Sequence, residues 1–184
     1  MYNVKEKYQH LSPDEIRKAY ESNASNVAVG CLNLSGDINI GMMIRSSTIY
    51  SVKEFFIIGR KKYDKRSSVG TNHHIAMNFI RASEGISNEF LNIDRIREFL
   101  LAKMEEYTII FIEQHQKSIK LPNIHSIKMD KPPLFIFGNE ADGIPVELLE
   151  MNNTYSVEIP QSGIGRSLNV ACACSIVLYE WFRE

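Results

Sequence analysis

At 184 residues, the chain is long enough for one domain with a single sizeable core. A composition that is 44% hydrophobic and 23% charged excludes a disordered or low-complexity chain, and no apolar run is long enough for a membrane span or a signal-peptide core. The net charge of −1 hides an asymmetry, because residues from 131 onward carry three basic and seven acidic side chains while the first 130 carry a net +3.

In chain order, Ser12-Pro13-Asp14-Glu15 reads as a capping box with proline at the first helical position, which predicts a short helix to about Ser22. Residues 27–34 form an apolar run between polar turns, a candidate buried strand. The stretch 37–45 follows and turns helical through about Tyr50. Phe55-Phe56-Ile57-Ile58-Gly59 predicts a second buried strand. Directly after it stands the densest basic cluster, Arg60, Lys61, Lys62, Lys65 and Arg66 around Tyr63. It reads either as a solvated loop or as a phosphate-contacting patch with Tyr63 available for stacking.

Asn92 caps a predicted helix in which Ile93, Ile96 and Leu100 share a face. Strands are expected at 108–112, 134–137 and 155–159, with a short helix near 146–151 and a last helix from Leu168 to about Phe182. Strands alternating with helices predict an α/β domain, and the continuous apolar strands predict a largely parallel sheet covered by helices on both faces. The last helix carries two apolar stripes, Leu168, Ala171, Leu178 and Phe182 beside Val170, Cys174, Val177 and Trp181. Such a helix is buried on more than one side, either within the chain or at a subunit interface.

Ligands of open α/β sheets sit beyond the carboxyl ends of the strands, here Leu34, Ile112, Phe137 and Ile159. Two of these ends open into loops with glycine: Gly138-Asn139-Glu140 with Gly143, and Gly163-Ile164-Gly165 before Arg166-Ser167-Leu168-Asn169. Glycine permits close backbone approach and φ > 0. Ser167 suits an N-cap, whereas Asn169, polar in an apolar helix start, needs a hydrogen-bond partner. Phosphate-loop, dinucleotide, nucleophile-elbow and zinc-protease patterns are absent. His73-His74 is no ligand pair, since adjacent side chains diverge and no carboxylate flanks them; no metal is expected. Three cysteines make no framework, Cys172 and Cys174 read as core thiols, and a reducing, cytoplasmic setting is expected.

Three segments resemble the motifs of the SpoU/TrmH family of RNA ribose 2′-O-methyltransferases, of the SPOUT class. They are Asn39-Ile40-Gly41-Met42-Met43-Ile44-Arg45, Phe137-Gly138-Asn139-Glu140-Ala141-Asp142-Gly143-Ile144-Pro145, and Ile159-Pro160-Gln161-Ser162-Gly163-Ile164-Gly165-Arg166-Ser167-Leu168-Asn169-Val170. The third, with arginine before its serine, is similar to the branch that methylates a guanosine in the tRNA D-loop. Ser68-Val69-Gly70-Thr71 also looks like a family segment near the RNA site.

The resemblance implies a deep trefoil knot in the C-terminal third, S-adenosylmethionine as methyl donor, and transfer to a ribose 2′-hydroxyl of RNA. tRNA is favoured; the alternatives are rRNA, or a non-catalytic RNA-binding module that keeps the fold. By carry-over, Arg45, Asn39, Glu140, Ser167 and Asn169 are the catalytic set, and Gly138, Ile159 and Leu168 hold the donor. Arg60, Lys61, Lys62, Lys65, Arg66 and Arg166 are the expected RNA contacts. A homodimer through the last helix is expected, with residues 1–25 an N-terminal helical segment and 26–184 one SPOUT-like domain. With so short a lead-in, RNA capture falls to the dimer's own surface or to a partner protein.

Overall fold

The computed structural model describes residues 4–33, 38–85, 90–139 and 142–183. Helix α1 (Pro13–Asn23) opens as its sequence dictates: Ser12 Oγ accepts the Glu15 N–H and Glu15 Oε2 accepts the Ser12 N–H at 2.8 Å. That reciprocal cap satisfies two amides that a helix start otherwise leaves unpaired. Ile16 is buried and the Tyr20 hydroxyl donates to the Val52 carbonyl, which docks α1 on the domain.

Strand β1 (Ala28–Asn33) leads to helix α2 (Ile38–Ile49), then to β2 (Glu54–Gly59) and β3 (Ala76–Arg81). A small antiparallel pair follows, β4 (Ser83–Glu84) with β5 (Phe90–Leu91). Helix α3 (Ile93–Lys103), capped by Asn92, precedes β6 (Thr108–Ile112) and β7 (Ile119–Lys120). Strand β8 (Pro133–Phe137), the short α4 (Val146–Leu149), β9 (Tyr155–Glu158) and α5 (Val170–Phe182) complete the chain. Seven strands form one sheet in the order β3-β2-β1-β8-β6-β9-β7, and every ladder in it is parallel.

Successive strand residues point to opposite faces, so the sheet divides the core in two. Val29, Cys31, Phe55, Ile57, Phe135 and Phe137 pack under α2 and α5. Ala28, Leu32, Phe56, Ile58, Phe111 and Ile136 pack under α3 and α4. Five phenylalanines of β2, β6 and β8 are essentially fully buried, each contributing about 1.5–3 kcal/mol relative to an exposed ring. The expected parallel sheet with both faces covered is what forms. β3 and β7 were not expected: β3 mixes half-buried and exposed residues at the sheet edge, so it lacks the apolar run that marks a central strand.

Two readings of α5 need correction. The helix begins at Val170 and its N-cap is Asn169, so neither Leu168 nor Ser167 belongs to it. Of the two predicted stripes, Ala171, Cys174, Val177 and Leu178 are buried and Val170, Trp181 and Phe182 half-buried against the core; the exposed residues of α5 are Cys172, Ile176 and Tyr179, so Cys172 is not the core thiol expected. Burial pushes the Cys174 thiol up to about 12. Among the described residues no helix is long and apolar enough to cross a membrane.

Candidate functional site

Strand β8 runs into α4 on one face of the sheet, whereas β1 and β9 run into α2 and α5 on the other. Strands whose following segments leave to opposite sides open a crevice at their carboxyl ends. A cleft of about 940 Å³ lies there, lined by Ile112, Phe137 and Ile159 from the strand ends. Pockets of about 300–1,000 Å³ accommodate nucleoside-sized ligands.

One wall is built by two asparagines from segments 130 residues apart in sequence. Asn169 Oδ1 accepts the N–H groups of Ala171 at 2.9 Å and Cys172 at 3.2 Å, capping α5. Its Nδ2 donates to Asn39 Oδ1 at 2.9 Å, in the first turn of α2. A serine in Asn169's place can cap but cannot reach across. Asn39 is 8% exposed, so a directed partner matters for its amide. Ser46 and Ser175, hydroxyl to hydroxyl at 2.8 Å, join the same two helices farther along.

The facing wall is the loop after β8. Asn139 and Gly143 exchange both backbone hydrogen bonds at 3.1 Å, and Asn139 Oδ1 accepts the Asp142 N–H at 3.0 Å. Gly138 has no room for a side chain: a Cβ there would lie 2.6 Å from the Gly143 Cα. Gly143 stands at φ +68°, in the left-handed region where glycine is unstrained. Glu113, the first residue past β6, accepts the Ile144 N–H on Oε2 at 3.1 Å.

Asn39, Gly138, Ile159, Arg166, Ser167, Leu168 and Asn169 all line this cleft. Glu140 lies outside the described residues. Arg45 does not line the cleft of its own chain; it is exposed on α2, between the exposed Met42 and Ile49. Arg60, Lys61, Lys62, Lys65 and Arg66 do not line the cleft; they lie in the segment after β2, which leaves the sheet at the same, carboxyl end. Asn33 fixes the start of this segment by donating to the Arg60 and Lys62 carbonyls. Residues 64–68 press on α2 at Gly41, where a Cβ would stand 2.8 Å from the Ser68 nitrogen.

Within this segment, Arg66 pairs with Asp64 at 2.7 Å, and those hydrogen bonds hold the Asp64 carboxyl down at about 2. Tyr63 is buried in the core, where burial raises its phenol, so it offers no face for stacking. The exposed aromatic here is Phe79 on β3, with the Lys61 ammonium 4.8 Å from its ring centre.

The sequence reading missed Glu113, Gln114, His115 and Asp142 as lining residues. For the first two a signal existed: a charged residue and an amide directly after a buried strand, at the end where α/β ligands bind. Among the described residues no group of His, Cys, Asp or Glu is placed to hold a metal.

The parallel sheet, the crevice at its carboxyl end and two loops closed around it by asparagines define an α/β protein built to hold a small polar ligand. The sequence matches the SpoU rRNA Methylase family over residues 26–179, and the chain belongs to that family. It is similar to the tRNA (guanosine(18)-2′-O)-methyltransferase of Saccharomyces cerevisiae, 34% identical over 103 residues. That stretch is 55% of this chain but 7% of the yeast protein. It is also similar to the enzyme of the same name from Aquifex aeolicus, 22% identical over 92% of this chain and 74% of the relative. The crystal structure of the A. aeolicus TrmH/SpoU tRNA modifying enzyme superposes with a TM-score of 0.70 at 20% identity, covering 91% of this chain and 79% of that one. The fold is therefore that of the SpoU structures, and the trefoil knot comes to this chain with family membership.

Proposed function

We propose that this chain transfers a methyl group from S-adenosylmethionine to a ribose 2′-hydroxyl of RNA, with tRNA the substrate class and a D-loop guanosine the target. The observation that carries this reading is the Asn169–Asn39 hydrogen bond. It joins the first and third family motifs in one wall, opposite the loop of the second. The names of the yeast and A. aeolicus relatives support the choice of tRNA.

The residues present fit the donor. Main-chain groups at Gly138, Ile159 and Leu168 would hold its adenosine against the apolar Ile112, Phe137 and Ile144. The carboxylate of Asp142 suits a ligand that carries positive charge. When bound, S-adenosylmethionine supplies an electrophilic methyl group. What the chain supplies is alignment, a term that reaches about 7–11 kcal/mol in favourable cases. Asn169 holds the mouth of α5 and fixes Asn39 so that the start of α2 keeps one position, and Ser167 lines the cleft beside it.

A guanidinium is a permanent cation with five donors. Arg45 therefore serves as a clamp on the incoming ribose-phosphate and offsets alkoxide charge as the proton leaves. Ile38, Met42 and Ile49 on α2, with Cys172, Ile176 and Tyr179 on α5, leave an apolar surface around Arg45. Two copies pairing through it would bury that surface and bring Arg45 to the junction. A cation there requires an anionic partner, which an RNA phosphate provides. Arg60, Lys61, Lys62 and Lys65, with Phe79, extend the surface along which RNA reaches the cleft.

The test is to map 2′-O-methyl marks on total RNA incubated with the purified protein and labelled donor. The expected result is donor-dependent ribose methylation of tRNA at a D-loop guanosine. Marks on rRNA would move the substrate, and the absence of ribose methylation on any RNA would refute the activity.

A further inference from the structure

Two consecutive residues at the end of β6 reach both loops of the cleft. The Glu113 backbone stays in the sheet, its N–H donating to the Val157 carbonyl at 3.1 Å. Its carboxylate leaves the sheet toward the loop after β8. Oε1 accepts the N–H of Gln114 at 2.9 Å, which orients the side chain, and Oε2 accepts the N–H of Ile144 at 3.1 Å. Gly143, next to Ile144, is fitted to that oxygen: a Cβ on it would collide with Glu113 Oε2. Gln114 Nε2 donates to the Arg166 carbonyl at 3.4 Å, in the loop before α5.

We propose that Glu113 is a positioning residue of the methyl-donor site: it clasps the segment 142–144 and so fixes where Gly138 presents its backbone, with Gln114 steadying the opposite loop. The proposal rests on the reading of the cleft as a methyl-donor site.

Asn139 and Gly143 are bonded to each other in both directions and Asn139 also holds Asp142, so these residues shift together with Gly138. That closed loop needs one external anchor to set its height over the cleft, and Glu113 supplies it. An ionised acceptor binds a backbone N–H about twice as strongly as a neutral one. Glutamine offers a single acceptor oxygen and a donor group that repels the second N–H, so it cannot hold both amides.

The experiment uses the full chain with Glu113→Gln, Glu113→Ala, Gly143→Ala and the double variant Glu113→Ala/Gly143→Ala. S-adenosylmethionine affinity is read by calorimetry, methyl transfer to bulk tRNA by label, and exposure of the Ile144 amide by hydrogen exchange. For Glu113→Ala, Kd and KM for the donor should rise about tenfold, the loss of one charge-assisted bond. Its kcat at saturating donor should stay within about twofold, because the residue touches no reacting atom. Glu113→Gln should fall between that variant and the natural chain. The Gly143→Ala penalty should shrink in the Glu113→Ala background, because the clash partner is gone and only the strain of alanine at φ +68° remains.

Independent, multiplicative penalties, or a fall in kcat at unchanged KM, would overturn the clasp. Failure of the natural chain to bind the donor would overturn the parent reading instead. Hydrogen exchange still decides the clasp in that case: Ile144 protection lost in Glu113→Ala sustains it, and protection unchanged ends it.

Discussion

Replacing Asn169 tests the site and the fold separately, because one side chain performs two tasks. Asn169→Ala removes the N-cap of α5, bonded at 2.9 and 3.2 Å, and the 2.9 Å bond to Asn39. Losing the cap costs about 1 kcal/mol, and losing a side-chain hydrogen bond costs about 0.5–1.5 kcal/mol more. For a chain of this size each kcal/mol moves the melting midpoint by about 2–4 °C, so Asn169→Ala should melt roughly 3–10 °C lower. Asn169→Ser keeps the cap but cannot reach Asn39. It should melt within about 5 °C of the natural chain, yet lose at least about tenfold in methyl transfer if the bridge aligns the site. Thermal unfolding and transfer from labelled donor to tRNA read the two tasks side by side. A serine variant with full transfer would refute the argument that the bridge between α2 and α5 aligns the reaction.

Arg45→Ala should abolish transfer while donor affinity by calorimetry stays near that of the natural chain, since Arg45 does not line the cleft of its own chain; near-normal turnover would remove it from the mechanism. Substituting Lys61, Lys62 and Lys65 with alanine should weaken RNA binding and flatten the plot of log affinity against log salt by roughly 2–3 in slope, and an unchanged slope would return the segment to plain solvated surface. Cys174 is held protonated by burial, with its pKa raised from 9.0 to about 12. The folded state therefore retains a proton that the unfolded chain gives up, so stability is complete below about pH 9 and falls between about pH 9 and 12, by at most about 1.4 kcal/mol per unit. Cys174→Ala should remove that part of the alkaline slope in urea titrations, and an unchanged slope would assign it to other groups.

The sequence carried far more of this site than of its supports. Apolar strands and helix signals gave the α/β class because burial on both faces of a parallel sheet forces continuous hydrophobic runs. β3 escaped notice because it lies at the edge, half exposed, where that pressure is absent. The tyrosine in the basic segment looked available for stacking, but the turn over 65–68 folds against α2 and carries Tyr63 into the core. Phe79, from a strand the sequence did not announce, occupies the exposed position beside Lys61 instead.

Residue types along the chain determined which loops could approach a ligand, since glycine's freedom and asparagine's donors are properties of single side chains. Only the tertiary structure decided which groups meet. Asn169 bonds Asn39 because α5 and α2 pack on the same face of the sheet, and Glu113 holds Ile144 because β6 and β8 are neighbours in it. Contacts between residues far apart in sequence depend on strand order and on the side from which each helix leaves. Local composition constrains neither, and so the same motifs written in a line could not say which of them form the walls of the cleft.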